Sequence, residues 1–475
     1  MSAKDVDREL TRLRLNSTSS ETHFPELETI GLHRPHRTSP TNLERPVTKS
    51  NYDANRRKDK SSRQLSTHER LLYLYSKRHH RHFCLVGELE GHIDETDFQK
   101  ALEQVRRRHA NLRFAIEDGE DGPGFVNHNK PLTIEVTTCD GSTDWKPVVE
   151  AELAKPFFPW MGPLIRTSVL KGSADPQQAV VVLTFHHSIA DGLSAVALLQ
   201  DLVHALNGAE LKLSPERDSV EDLVRRIRGT EARAAGERTS PGLPDLETIS
   251  AIAGRPLWRP FEADRPKVNA IALPVDLTSA LIKRSRQEGT TVHGAICAAV
   301  AVANGSQHPA ENYAIMSPIS IRHALNIGPD EMGLFITAAT LRVPIAKRAP
   351  LWDLARRFTD ELNPLRSAQH LIESVAMVDG VFPRNATVDV ACGLVGSLAY
   401  DAVVSNLGSV HTDLPEGVTR LRAVWGPMVL GRIRNERMIG VATTGGHLCL
   451  TEARPNHMPE SLQQVAVALA DAFFG

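Results

Sequence analysis

The chain has 475 residues, 41% apolar and 24% charged, with a formal net charge of −2. That is enough chain for two lobes with separate cores. The charge balance leaves no general excess of cations for neutralising phosphates and argues against nucleic-acid binding. Five cysteines are scattered without CxxC spacing, so neither a zinc ribbon nor a disulfide framework is expected.

Residues 1–62 are rich in Ser, Thr, Asn, Pro and basic residues and poor in aromatics. They read as a disordered polar tail, with a short amphipathic helix near DRELTRLRL. The start has no continuous apolar segment of the secretory type. The longest apolar run, Ala295 to Ala303, is far short of the ~20 residues a membrane span needs. A cytoplasmic location is the expectation.

Folded sequence begins at Arg63. Ser66 and Glu69 have capping-box spacing ahead of a helix. FCLVGELEG alternates as a strand. Asp94 precedes a helix with Phe98, Leu102 and Val105 on one face. NLRFAIE, FVNHN and PLTIEVTTC read as strands, VVEAELAKPF as a short helix, and PLIRTSVL and QAVVVLTFH as strands. LSAVALLQDLVHAL is an amphipathic helix stopped by Asn207-Gly208. This gives an N-terminal lobe over 63–208.

Residues 209–265 are charged, partly helical and broken by TSPGLPD, and read as a connector. A C-terminal lobe, 266–475, opens with the strand VNAIALPV. Helices follow over DLTSALIKRSRQEG and TVHGAICAAVAVANG, then a strand ending on Arg322. GLFITAATLRVPI is a strand and LWDLARRFTDELNPL a helix. DAVVSNLG is a strand, and IGVATT-GG-HLCLT a hairpin turning at Gly445-Gly446. PESLQQVAVALADAFF closes the chain as a helix. Strands and helices mix without a clean βαβ repeat, so the fold class is α+β.

The chemistry points to TFHHSIADGLSAV, residues 184–196. Adjacent histidines on a strand point to opposite faces, so His186 and His187 are not expected to share one role or one metal. One can be a hydrogen-bonded structural group, a role given to His186. The other, His187, can face a cleft as a general base, provided its tautomer is fixed. Asp191 can cap the following helix or form an ion pair. Gly192 allows a sharp turn. Ser405 and Asn406, in the late SNLG segment, can donate to an oxyanion or bond their own turn. Trp425, Gly426 and Pro427 are expected to shape an acceptor pocket. His79, His80, Arg81 and His82 read as a solvated basic turn. Arg106, Arg107 and Arg108 read as an exposed helix face, the sharper alternative being a dock for a phosphopantetheine arm or a coenzyme A phosphate. No phosphate loop and no GxSxG elbow is present.

HHSIADG resembles the HHxxxDG signature of the superfamily of chloramphenicol acetyltransferase, nonribosomal peptide condensation domains and polyketide-associated (PapA-type) acyltransferases. LSTHERLLYLY, LEGHIDETDFQKALEQVRRRHANLRFAI, SPISIRHAL, VVSNLGSV and GVATTGGHLCLT resemble further segments in the expected order, over roughly 63–465. The DFGWG motif of the plant branch is absent, and SNLG stands in that region.

The resemblance implies two chloramphenicol-acetyltransferase-like lobes, each a mixed sheet with packed helices, and a tunnel between them. It implies that His187 is the base, that His186 is structural, and that Asp191 turns away from substrate to pair with Arg322. The implied donor is an acyl thioester on coenzyme A or a carrier protein, a co-substrate rather than a cofactor. The implied acceptor is a small-molecule or lipid alcohol. No metal, nucleic acid or membrane span is implied, and a monomer is expected. The reading is ester formation in lipid, polyketide or other secondary-metabolite biosynthesis. The alternatives are an amide-forming stand-alone condensation enzyme and a non-catalytic carrier-protein-binding module.

Overall fold

The computed structural model describes residues 63–472 except 92, 129, 140–142, 173–176, 215–217, 232–245, 306–311, 345–349, 399 and 412–418. The expected tail, 1–62, and the TSPGLPD break lie outside the described residues.

In the N-terminal half the elements are α1 (Thr67–His79), β1 (His82–Glu90), α2 (Glu95–Arg108), β2 (Phe114–Gly119), β3 (Gly122–Asn127), β4 (Ile134–Cys139), α3 (Lys146–Ala154), β5 (Ile165–Gly172), β6 (Gln178–His186) and α4 (Gly192–Leu206). The expected local signals operate. Ser66 Oγ accepts from the Glu69 N–H at 3.3 Å, and Glu69 Oε2 accepts from the Ser66 N–H at 2.8 Å. This reciprocal pair satisfies two otherwise orphaned donors at the start of α1. Asp94 caps α2 through the Thr96 N–H at 2.7 Å, and Phe98, Leu102 and Val105 are buried.

The connector contributes α5 (Val220–Glu231) and α6 (Leu246–Ala253). Then come β7 (Pro266–Leu273), α7 (Val275–Gln287), α8 (Val292–Gly305), β8 (Asn312–Ser320), β9 (Ile336–Pro344), α9 (Leu351–Leu362), α10 (Ala368–Val381), α11 (Val388–Ser397), β10 (Ala402–Val410), β11 (Arg420–Val429), β12 (Arg437–Thr444), β13 (His447–Pro455) and α12 (Leu462–Asp471). The β12–β13 turn is made by Gly445 and Gly446 at φ 55° and 79°, the backbone a two-residue hairpin of this hand requires.

Two sheets carry the fold. The first has the order β11-β1-β6-β5-β4 and the second β7-β13-β12-β10-β8-β9, while β2 and β3 form a separate hairpin. Both sheets mix parallel and antiparallel pairs. Helices α2 and α4 pack together, as do α8 with α9 and α12. The class is α+β with two lobes.

Several expectations need correction. β11 is a strand that the sequence pattern does not announce, and it joins the first sheet by antiparallel pairing with β1. The lobe boundary drawn in chain order therefore does not follow sheet membership. Helices α10 and α11 are likewise additions to the expected elements. β8 ends at Ser320, and Arg322 follows in helical backbone at the start of a short 3₁₀ turn. His79 and His82 are not solvated: they are 6% and 1% exposed. His79 stacks on Trp258 and His80 packs on Phe261. Arg108 is not on an open face, since its side chain bridges Asp201 and Asp330 at 2.7 and 2.6 Å.

Candidate active site

β6 is apolar because it lies inside the first sheet, flanked by β1 and β5. His186 is its last residue, in register with His82 of β1, and its N–H donates to the Leu164 carbonyl at 2.9 Å. The strand stops there and a turn begins, with the Ile189 N–H donating to the His186 carbonyl at 3.2 Å. His187 is thus in the turn, beyond the strand. The two rings still diverge. His186 packs on Phe157, with Nδ1 at 2.7 Å from Ser188 Oγ, whereas His187 packs on Phe83.

His187 Nδ1 lies 3.0 Å from the Ala190 carbonyl oxygen. A carbonyl only accepts, so Nδ1 carries the proton and Nε2 keeps its lone pair. The backbone N–H of His187 donates to the Arg81 carbonyl at 3.3 Å. Burial, then the Arg81 charge, lower the imidazole pKa to about 4. The ring is therefore neutral at neutral pH. Burial, followed by the neighbouring His187, brings His186 to about 3.

Asp191 does both things the sequence left open. It caps α4, with Oδ1 accepting from the Ser194 N–H at 2.8 Å. Its Oδ2 accepts from Arg322 Nη1 at 2.7 Å and from the Phe335 N–H at 2.9 Å. Burial alone would raise this carboxyl, but the Arg322 charge and these hydrogen bonds outweigh it and hold the pKa below the usual carboxylate range. Arg322 Nη2 continues to Ser194 Oγ at 2.9 Å and the Glu331 carbonyl at 3.0 Å.

Sequence reasoning missed Ser194, Gly333 and Phe335. Ser194 Oγ is within reach of Asp191 Oδ1, the Gly333 carbonyl and the Gly333 N–H at 2.9, 2.7 and 3.0 Å. Its signal was present as a short polar residue three positions after a cap. The 333–335 segment carries no local signal, because it contributes backbone groups.

Gly192 is needed for close approach rather than for a turn. It opens α4, and a Cβ there would lie 2.7 Å from Leu407 Cδ2 and 3.4 Å from Pro427 Cγ. These contacts bring the SNLG strand and β11 beside the histidine turn. Ser405 is in register with Gly440 of β12. Asn406 Oδ1 accepts from the Gly408 N–H at 2.8 Å, so its carbonyl oxygen serves its own turn. Trp425 turns aside: its indole N–H donates to Glu88 Oε1 at 2.7 Å and its ring packs on Trp145. Pro427 is the member of that trio beside Gly192.

No cluster of three or more His, Cys, Asp or Glu suited to a metal occurs among the described residues. Nor is any helix among them long and apolar enough to cross a membrane.

The profile of the Condensation domain family matches residues 69–371. Tyrocidine synthase 3 of Brevibacillus parabrevis is 26% identical over 264 residues, covering 54% of this chain and 4% of that protein. The chain spans a tenth or less of the length of this and other curated relatives it matches. Polyketide synthase associated protein 5 from Mycobacterium tuberculosis superposes with a TM-score of 0.57 at 15% identity, over 86% of this chain and 96% of that one. SgcC5 from Streptomyces globisporus, solved with (R)-(-)-1-(2-naphthyl)-1,2-ethanediol and sucrose, gives a TM-score of 0.57 at 15% identity, over 87% and 97%. With the HHxxxDG turn, its buried aspartate–arginine pair and the two-lobed fold in place, the chain belongs to the Condensation domain family.

Proposed function

We propose that the chain is an acyltransferase that moves an acyl group from a coenzyme A or carrier-protein thioester to a hydroxyl acceptor in secondary-metabolite or lipid biosynthesis. The observation that carries this reading is the Ala190 carbonyl on His187 Nδ1, which leaves Nε2 as a base of fixed orientation. The acceptor O–H gives its proton to Nε2 as its oxygen attacks the thioester carbonyl carbon. The tetrahedral intermediate collapses, the C–S bond breaks, and the imidazolium returns the proton to the thiolate. Products are an ester and a free thiol.

A pKa near 4 makes His187 a weak base and its conjugate acid a strong donor to the leaving sulfur. Holding both substrates at the histidine therefore supplies much of the acceleration. Asp191 and Arg322 fix the loop and transfer no proton. His187, Asp191 and Arg322 come from one chain, so a monomer is sufficient. The diol bound by SgcC5 supports a hydroxyl acceptor. Similarity to tyrocidine synthase 3 supports the second reading, amide formation with an amine acceptor.

The test is thiol release from a panel of acyl-coenzyme A thioesters, with alcohols, with amines and with neither, for wild type and His187→Ala. Alcohol-dependent release that fails in the variant supports ester formation. Release only with amines supports the second reading. No release with coenzyme A donors or with carrier-loaded donors would leave a binding module.

A further inference from the structure

PFFPWMGPL, residues 156–164, links α3 to β5. Among the described residues, Phe158, Trp160 and Met161 are 50%, 59% and 53% exposed, the densest run of exposed large apolar side chains. The tip is held in shape. The Ile116 N–H donates to the Pro159 carbonyl and the Met161 N–H to the Phe158 carbonyl, both at 2.9 Å, and the Phe158 and Trp160 rings meet edge to face at 5.4 Å. Beside it opens a cavity of about 390 Å³ whose lining includes Ile134, Phe157, Phe158, Met161, Pro163 and Ile165.

Both stems of this loop end at the histidine pair. Phe157 packs on His186 with ring centroids 5.9 Å apart, and the Leu164 carbonyl accepts the His186 N–H. The apolar tip therefore projects from the end of the sheet that presents His187.

We propose that this loop is a membrane-interface anchor, and that the acceptor is a hydrophobic alcohol drawn from a lipid surface. The inference rests on the acyltransferase reading above. Half-exposed side chains of this size offer on the order of 100 Å² each. The tip thus presents about 300 Å², well short of the ~800 Å² per partner of a stable protein interface. Such an area suits shallow insertion, and Trp is favoured at membrane–water boundaries. Exposed Lys155 lies three residues before Phe158. Exposed Lys130 lies two after His128, whose ring a Cβ on Gly162 would meet at 2.8 Å. Glu135 is the exposed acid on the cavity wall. Lys155 pairs with Glu152 at 3.7 Å, and Arg166 on the same wall shares that carboxylate at 2.5 Å. Lys130, Lys155 and Arg166 against Glu135 and Glu152 leave one positive charge in excess, which favours an anionic headgroup surface.

The experiment uses the full chain with vesicles of phosphatidylcholine alone and with about 30% phosphatidylglycerol, an anionic surface of the kind that attracts basic side chains. Wild type is compared with a Phe158→Ser, Trp160→Ser, Met161→Ser triple variant and with Trp160→Phe. Wild type should sediment with the anionic vesicles, and the triple variant should partition at least tenfold less with an unchanged circular dichroism spectrum. Tryptophan emission should be quenched by lipids carrying a nitroxide in the upper acyl chain, and Trp160→Phe should lose that quenching. The triple variant should keep wild-type thiol release with a short water-soluble alcohol and lose at least tenfold with a long-chain alcohol presented in vesicles. Vesicle binding that ignores the substitutions, or no binding, overturns the anchor. So does concentration-dependent dimerisation of wild type that the triple variant abolishes, which would assign the patch to a second copy. Failure of wild type with every alcohol would instead count against the acyltransferase reading, whatever the vesicles show.

Discussion

Arg322 Nη1 and Asp191 Oδ2 lie 2.7 Å apart, both side chains almost wholly buried. Each makes further hydrogen bonds, so neither charge bears its desolvation cost alone. Removing one partner strands the other. Arg322→Met should cost ~3–5 kcal/mol, read as a lower urea midpoint at pH 7. Because the Asp191 pKa is depressed by folding, the pair's contribution is present above the ordinary carboxylate pKa. It is lost only as pH falls through the lower folded value. In the variant the Arg322 charge no longer offsets burial, which pushes the Asp191 carboxyl up. Protonation then relieves the stranded charge, and the gap between wild type and variant should narrow as pH falls from 8 to 5; a gap that widens as pH falls would contradict this account.

His187 sets the acid side of the rate profile. With a pKa of about 4, its neutral form dominates above that pH. Log kcat/KM should rise with pH up to roughly that value and then run flat through neutrality. His187→Ala should lose ~10²–10⁴ in rate with its fold intact. An inflection near the ordinary histidine value of ~6.5 would show that the ring is far less desolvated during turnover.

Buried neutral histidines also bear on stability. His79 and His187 are lowered to about 4, and His186 and His293 to about 3, in each case chiefly by burial. The unfolded chain binds protons at these groups from pH ~6.5 downward while the folded chain does not. Their contribution is thus full above pH ~6.5 and is lost as pH falls toward the folded values. Each group adds a slope on the order of 1.4 kcal/mol per pH unit within that window. Urea midpoints at pH 7, 6 and 5 should fall ever more steeply, and His293→Asn should flatten the slope. A flat profile from pH 7 to 5 would contradict these burials.

Two glycines test which close approaches can yield. A Cβ on Gly192 meets Leu407 Cδ2 at 2.7 Å, the end of a branched side chain that can turn away. Gly192→Ala should cost within the ~1–3 kcal/mol of overpacking and reduce activity, and adding Leu407→Ala should restore both. A Cβ on Gly440 would overlap the Pro427 carbonyl oxygen, which is backbone. Gly440→Ala should push β11 away from β12 and cost more than Gly192→Ala does. Melting temperatures and thiol release for the three variants provide the comparison.

These contacts also explain what the sequence could and could not convey. β6 and its histidines were legible because an apolar run must end somewhere and a polar pair marked the end. The Asp191 cap was legible from a short acid before a helical pattern. The pairing of Asp191 with Arg322 came from family resemblance, because a contact across 131 positions leaves no local trace. β11 was missed since Gly426 and Pro427 interrupt its pattern, and its place in the first sheet follows from pairing with β1. Gly192 was assigned to turning because the neighbours that crowd a side chain there, Leu407 and Pro427, are remote in the chain. His79 and His82 looked solvated since nothing local announces the Trp258 and Phe261 that cover them.

The connector is tied down by a second buried charge network. Arg432 is 1% exposed and sits in left-handed backbone at φ 68°. It pairs with Asp264 through Nη1, donates to the Leu153 carbonyl at 2.6 Å through Nη2, and lies over the Phe261 ring. Arg259 bridges Asp264 and Glu436 at 3.1 and 3.0 Å, and the Gly431 and Arg432 N–H groups donate to Glu436. Two guanidinium groups thus balance two carboxylates where the connector, α3 and the β11–β12 turn meet. Arg432→Gly would relieve left-handed strain of roughly 1–2 kcal/mol. It would also leave Asp264 with a single buried partner, at a cost of ~3–5 kcal/mol, so the loss should win. Arg432→Gly should therefore melt lower than wild type, and Asp264→Asn added to it should recover part of the difference. The folded fraction should keep thiol release within tenfold of wild type, because none of the hydrogen bonds and ion pairs of this network reaches the His187 ring. A variant more stable than wild type would mean that backbone strain, not the ion pairs, dominates this joint.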